Sequence, residues 1–230
     1  MPEFLSTSQA TQLQRIAQRY KKPVKLGKPW NQRTDDELWR KVLGQIAVVG
    51  RAEPGERLQH DPKIKRLVSV KCLRRFQTDA DLQKHLHALF VKLRVRYVGR
   101  NWKSDRKSAA AVKNFRKLTA GDSPRKFFDR VAKCKSEAEK IAMLQRELVF
   151  FGNKSARDSL IELRLAKNVM ALDARIYGVL RKVGVRLSPD DIYRQIEKEL
   201  IEKVATPLGM TGALLDRVLF KNYDQILKQR

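Results

Sequence analysis

Apolar and polar positions repeat with the 3.6-residue period of helices along almost the whole chain. From Leu13, apolar or aromatic residues return at Ile16, Ala17 and Tyr20, a stripe along one helical face. After a Pro- and Gly-containing link, Thr34-Asp35-Asp36-Glu37 has capping-box spacing ahead of Leu38, Val42, Ile46 and Val49. That pattern predicts a helix that runs through the core and ends near Gly50. Residues 51–62, RAEPGERLQHDP, are expected to form a loop because of their Pro and Gly. KIKRLVSVKCLRRF and TDADLQKHLHALFVKLRVRY each read as one helix, the second capped by Thr78. Ser104 is the expected cap of a helix containing Ala109, Val112 and Phe115. Ser123-Pro124 opens the next, with Phe127, Phe128 and Val131, and Ser136-Glu137-Ala138-Glu139 is a second capping box before Ile141, Leu144 and Leu148.

The last third continues the pattern, with helices expected from Lys154 to Lys167 and from Asp173 to Val183. Ser188-Pro189 opens another with Ile192, Ile196 and Leu200, and a final amphipathic segment carries Leu214, Leu215, Val218 and Leu219. No segment alternates with the period of a strand, so the predicted class is all-α with about ten helices. No repeat of fixed period is present, which argues against an α-solenoid.

Composition narrows the function. A chain of 230 residues, 42% of them hydrophobic, can bury a core as one large domain or two lobes. Its 50 Lys and Arg against 25 Asp and Glu leave a net charge of +25, which repels itself unless a polyanion is close, and nucleic acid is the expected partner. Only Cys72 and Cys134 are present, too few for a four-cysteine iron-sulfur cluster or a thiolate zinc site. His60, His85 and His87 read as structural or solvated, because the HLH pair projects from different faces of a helix. The N-terminal MPEFLSTSQATQ lacks the pattern of a signal peptide and no apolar run reaches 18 residues. The expected protein is therefore intracellular, cytoplasmic or nucleoid-associated, and without a membrane partner.

One stretch carries candidate chemistry. In LVFFGNKSARDSL, residues 148–160, two helical patterns meet with room only for a tight hairpin. Gly152 is expected to take a positive φ there, and the second helix then offers free N–H groups to a phosphate. Lys154 stands at its start. About twenty residues on, Asp173 ends an apolar run where a helix begins, which suits an N-cap and also a second reactive group.

Helix, hairpin, Gly-x-Lys-x-Ala and then an apolar run ending in Asp together resemble the helix-hairpin-helix superfamily of DNA glycosylases. Downstream, Tyr193, Ile196, Glu197, Leu200, Ala205, Leu208, Leu215 and Asp216 are similar to the C-terminal helices of the archaeal-type 8-oxoguanine DNA glycosylase/AP lyase group. The likeness covers Leu148 to Arg230 well and the first 120 residues only in outline. It implies a two-lobed helical fold with a DNA cleft between the lobes. One lobe would span 35–165 and end in the helix-hairpin-helix at about 137–167, and 1–34 with 166–230 would form the other. It also implies a bifunctional enzyme that flips an oxidised purine, 8-oxoguanine foremost, out of duplex DNA and works without cofactor or metal, as a monomer.

The resemblance gives Lys154 the role of Schiff-base nucleophile and Asp173 that of second catalytic group. Gly152, Asn153, Ser155 and Arg157 fall where DNA is held, and Gln45 where the superfamily places a polar wedge, though a surface Gln fits as well. Phe220, Asp216 and Arg230 fall where the base is bound. The chain departs from the pattern at Phe150, which replaces the hairpin's first Gly, at Phe220, where the group commonly has Trp, and at its end, where the group tends to have Lys. Trp30 and Trp39 read as core, and Arg146, Arg157 and Lys167 as phosphate contacts or solvated surface. At an ordinary lysine pKa near 10.4 only about one amine in 2,500 is neutral at pH 7, so a nucleophilic Lys154 wants a downward shift from burial, its helix end or nearby cations. Two other functions fit the same residues: a non-catalytic DNA- or RNA-binding protein, and a monofunctional glycosylase for another lesion. Single-stranded DNA is a further candidate partner.

Overall fold

The computed structural model describes residues 3–22, 24–48, 51–121, 123–187 and 193–229. Its helices, in chain order, are α1 Thr7–Tyr20, α2 Asp35–Ala47, α3 Glu53–His60, α4 Pro62–Leu67, α5 Val70–Leu73, α6 Asp79–Lys92 and α7 Arg106–Thr119. They continue as α8 Pro124–Lys133, α9 Glu137–Glu147, α10 Asn153–Glu162, α11 Ala174–Lys182, α12 Tyr193–Leu200, α13 Gly212–Lys221 and α14 Tyr223–Lys228. The described residues contain no strand, so the all-α class holds. None of these helices is long and apolar enough to cross a membrane.

Most helix starts follow the sequence. Thr34 closes a capping box at α2, and Thr78 and Ser123 cap α6 and α8; Ser6, outside the stripe read from Leu13, closes a further capping box at α1. Ser136 caps α9, but the Glu139 carboxylate accepts from Lys135 N at 2.8 Å, one residue before the cap. Three expectations change. The predicted loop 51–62 contains α3, because Pro54 is tolerated in a first turn and Gly55 lets α3 meet α2's end. A Cβ at Gly55 would lie 2.4 Å from Val48 Cγ1. KIKRLVSVKCLRRF breaks in two, since Ser69 leaves the helix and accepts from Cys72 N as the cap of α5. Asp105, not Ser104, caps α7, its buried carboxylate also accepting from Gly99 N and facing His87 Nδ1. The predicted helix opening at Ser188-Pro189 begins outside the described residues.

The chain divides into two compact units, Met1–Lys28 with Ala156–Arg230, and Pro29–Ser155. In the second, α2 is buried on most of its circumference, with Leu38, Trp39, Val42, Leu43 and Ile46 in contact with α3, α7 and α8. Trp39 meets Phe115 edge to face at 5.1 Å between ring centroids. Residues 29–34, expected in the other lobe, belong here because Arg125 of α8 donates to Asn31 O and its N–H to the Asp35 carboxylate.

In the first unit α1 packs with the last third of the chain, around Leu13, Met170, Ile176, Leu180, Leu200 and Leu215. Glu199 of α12 ties down the start, accepting from Phe4 N and Leu5 N at 2.8 Å each and from Lys203 Nζ at 3.0 Å. Burial alone would push the Glu199 carboxyl up; the two N–H groups and the Lys203 ammonium outweigh it and hold it below the ordinary value. A depressed carboxyl stabilises the fold above its unfolded-state pKa and loses that contribution as pH falls through the folded-state value. Glu199→Gln should therefore lower the unfolding free energy by about 1–3 kcal/mol at neutral pH, with the gap narrowing at a pH below the ordinary carboxyl range. Equilibrium urea unfolding at the two pH values measures both.

Candidate active site

Five residues, Leu148 to Gly152, join α9 to α10. The entry is pinned by Asn114, fully buried on α7: its Nδ2 donates to Val149 O at 3.0 Å and its Oδ1 accepts from Val149 N at 2.7 Å, as a neighbouring strand would. Phe150 follows in the left-handed region at φ 67° and is 40% exposed. Among the described residues the left-handed glycines are Gly184 and Gly209, so the φ expected of Gly152 is carried by Phe150 instead. Ser155 Oγ closes the turn by donating to Phe150 O at 3.0 Å, with Gly152 O at 3.5 Å, and Gln145 Nε2 donates to Asn153 Oδ1 at 3.1 Å. A Cβ at Gly152 would meet nothing within 4 Å, so neither packing nor φ requires a glycine there. Lys154 is half-buried at the second position of α10.

Helix α10 ends at Glu162 rather than Lys167, because Arg164 turns left-handed at φ 53°. It leaves the hairpin's unit after Ser155, ten residues before the expected boundary, because its buried face pairs with α12. There Arg157, expected at a DNA phosphate, is only 2% exposed. Its Nε donates to both Glu197 oxygens at 2.8 and 2.9 Å and its guanidinium lies 4.5 Å from the centre of the Tyr193 ring. A cation enclosed this way is internal structure, and the surface role is withdrawn.

Asp173 has extended backbone, φ −123° and ψ −177°, and caps α11 through Oδ1, which accepts from Arg175 N at 3.0 Å and Ile176 N at 3.1 Å. Its Oδ2 makes no hydrogen bond among the described residues. Asp216, expected at the base, is 1% exposed, and its Oδ1 accepts from Ala171 N at 2.7 Å. Burial, with smaller contributions from the Asp158 and Asp173 charges, pushes its carboxyl up to about 7 against the pull of Arg217 and that N–H. Phe220 is half-buried, with the Arg175 guanidinium 4.5 Å from its ring centre. Arg230 lies outside the described residues.

Gln45 is 8% exposed inside α2, so both the wedge and the surface Gln give way to a buried side chain. Trp39 is core, whereas Trp30 is only half-buried. Arg146 is exposed and paired with Glu147, and Lys167 is exposed. His85 contacts Leu67 O and the Phe76 ring, and His87 contacts Asp105, as structural histidines do. No group of three metal-binding side chains occurs among the described residues. Sequence reasoning missed Asn114, whose signal was a polar residue on the apolar face of α7.

A left-handed non-glycine costs about 1–3 kcal/mol, which offsets the roughly 1 kcal/mol entropic penalty of glycine. Phe150→Gly should therefore leave stability unchanged or raise it slightly, whereas Phe128→Ala, fully buried, should lose about 3–5 kcal/mol. Urea unfolding decides; equal losses at the two sites would make the Phe150 ring a structural anchor.

No family model and no curated protein matches this chain. Among solved structures, the Methanocaldococcus jannaschii 8-oxoguanine glycosylase/lyase in complex with 15mer DNA containing 8-oxoguanine is similar with a TM-score of 0.59 at 15% identity, over 95% of this chain and 92% of that one. A second structure of the 8-oxoguanine DNA glycosylase from that organism gives 0.60 at 17% identity, over 91% and 85%. The 8-oxoguanine DNA glycosylase of Thermotoga maritima gives 0.63 at 17% identity, over 92% and 93%. The chain thus has the helical fold of these 8-oxoguanine DNA glycosylases.

Proposed function

We propose that this protein is a bifunctional DNA glycosylase/AP lyase that removes an oxidised purine, 8-oxoguanine foremost, through a Schiff base on Lys154. One observation carries the reading: Lys154 opens a helix straight after a tight hairpin, in a fold shared with 8-oxoguanine glycosylases, and Asp173 caps the next helix with one oxygen uncommitted. The surplus of 25 positive charges supports a DNA partner.

In this mechanism the lesion is extruded from the stack, since its sugar is out of reach inside the duplex. The neutral Lys154 amine attacks C1′, the N-glycosidic bond breaks, and its electron pair leaves with the base, which takes up a proton. Loss of one amine proton, then opening of the sugar ring as O4′ leaves with the C1′–O4′ electron pair and takes up a proton, give the protonated Schiff base. Removal of a C2′ proton then expels the 3′ phosphate by β-elimination. Asp173 Oδ2 faces the positive charge that develops on the sugar and relays protons, while its Oδ1 stays on α11. Gly152 gives the DNA backbone room to approach, and Asn153 and Ser155 shape the turn that presents α10. Phe220 supplies a stacking face for the base.

Borohydride should trap a covalent complex with duplex DNA containing 8-oxoguanine, and Lys154→Gln should abolish trapping while retaining affinity. Equal affinity for damaged and intact duplex with no base release would identify a non-catalytic binder instead; base release without strand cleavage would identify a monofunctional enzyme. Gly152→Ala should leave the unfolding free energy within about 0.5 kcal/mol yet weaken duplex binding several-fold, as read by titration at fixed salt.

A further inference from the structure

We infer that Tyr193, Glu197 and Asp216 are positioning residues for Asp173, because they fix the three consecutive peptide N–H groups that precede it. Met170 N donates to Glu197 Oε1 at 2.8 Å, Ala171 N to Asp216 Oδ1 at 2.7 Å and Leu172 N to the Tyr193 hydroxyl at 2.7 Å. The same hydroxyl spends its one hydrogen on Met170 O at 2.9 Å. The inference rests on the glycosylase reading, which gives Asp173 its task.

These residues belong to no helix, and the described residues offer no strand to pair with them. Buried N–H groups left there without acceptors would be costly, so the acceptors come from side chains of α12 and α13. The acceptors are themselves held. Arg157 grips both oxygens of Glu197 and lies over the Tyr193 ring, so one guanidinium orients two of the three. Tyr193 and Glu197 stand four apart on α12 and present one face. Upstream, Ala213 N donates to Lys167 O at 2.8 Å, and a Cβ on Gly212 would come within 3.2 Å of Val169 N. Downstream, Asp173 is anchored through Oδ1 to α11. The peptide entering Asp173 and the helix leaving it are thus both fixed, which sets where Oδ2 points. Only Asp173 among residues 169–173 carries an ionisable group, and the grip on Met170, Ala171 and Leu172 ends at it.

Tyr193→Phe is the informative variant, because it removes one oxygen and keeps the ring beneath Arg157. Amide exchange of Leu172, whose N–H loses its acceptor, should speed up at least about tenfold, with the melting temperature lowered by only about a few degrees. Single-turnover release of 8-oxoguanine from duplex should slow about 10- to 100-fold, with duplex affinity within about twofold. In the Asp173→Asn background, Tyr193→Phe should bring almost no further loss. An undiminished loss in that background, or an unchanged rate in the single variant, overturns the positioning role while leaving the glycosylase reading intact. A wild-type chain that releases no base from any lesion overturns that reading and the positioning role with it, whatever the exchange rates show.

Discussion

Every peptide group that leaves a helix and stays buried must find a partner, and in a chain whose described residues form no strand that partner is a carbonyl of the turn just left or a side chain. The two most consequential joints obey this constraint in the same way. Val149, at the mouth of the hairpin, has both backbone groups taken by Asn114. Met170 to Leu172, at the approach to Asp173, are taken by Glu197, Asp216 and Tyr193. Each joint precedes a residue to which the proposed chemistry gives a task. Rigidity there costs the protein several buried polar groups.

The surplus of positive charge is handled differently inside and outside. Arg157 and Arg217 are buried against Glu197 and Asp158, where each pairs closely enough to offset its desolvation. Burial pulls the Lys107 ammonium below its ordinary value despite the Asp105 charge nearby. Most of the other cations stay in water, where they attract a polyanion and destabilise the isolated fold through mutual repulsion. A DNA partner would relieve that repulsion at the same surfaces.

Much of the fold was legible in the sequence because caps and apolar stripes are local signals. Thr34, Thr78, Ser123 and Ser136 cap the helices they were expected to cap, and α2 lies in the core as its pattern implied. Misreadings arose where a distant partner decides the local outcome. Pro54 and Gly55 look like loop residues until Val48 is seen against Gly55, and Arg157 looks like surface until Glu197 is seen beside it. The positions of Lys154 and Asp173 at the starts of their helices followed from spacing, but the side chains that hold the backbone around them did not. A polar residue on an apolar face announces that it has a partner without saying which. The left-handed turn was expected at Gly152 and is made by Phe150, since φ is set by the whole hairpin and not by the most permissive residue in it.

In the proposed reaction one amine among fifty Lys and Arg residues forms the covalent bond to DNA. Its most direct test is to reduce the reaction with borohydride, digest the protein and locate the sugar adduct by peptide mass spectrometry. A single modified site is expected, at Lys154. An adduct on any other lysine or on the chain's α-amino group, with Lys154 unmodified, would contradict it.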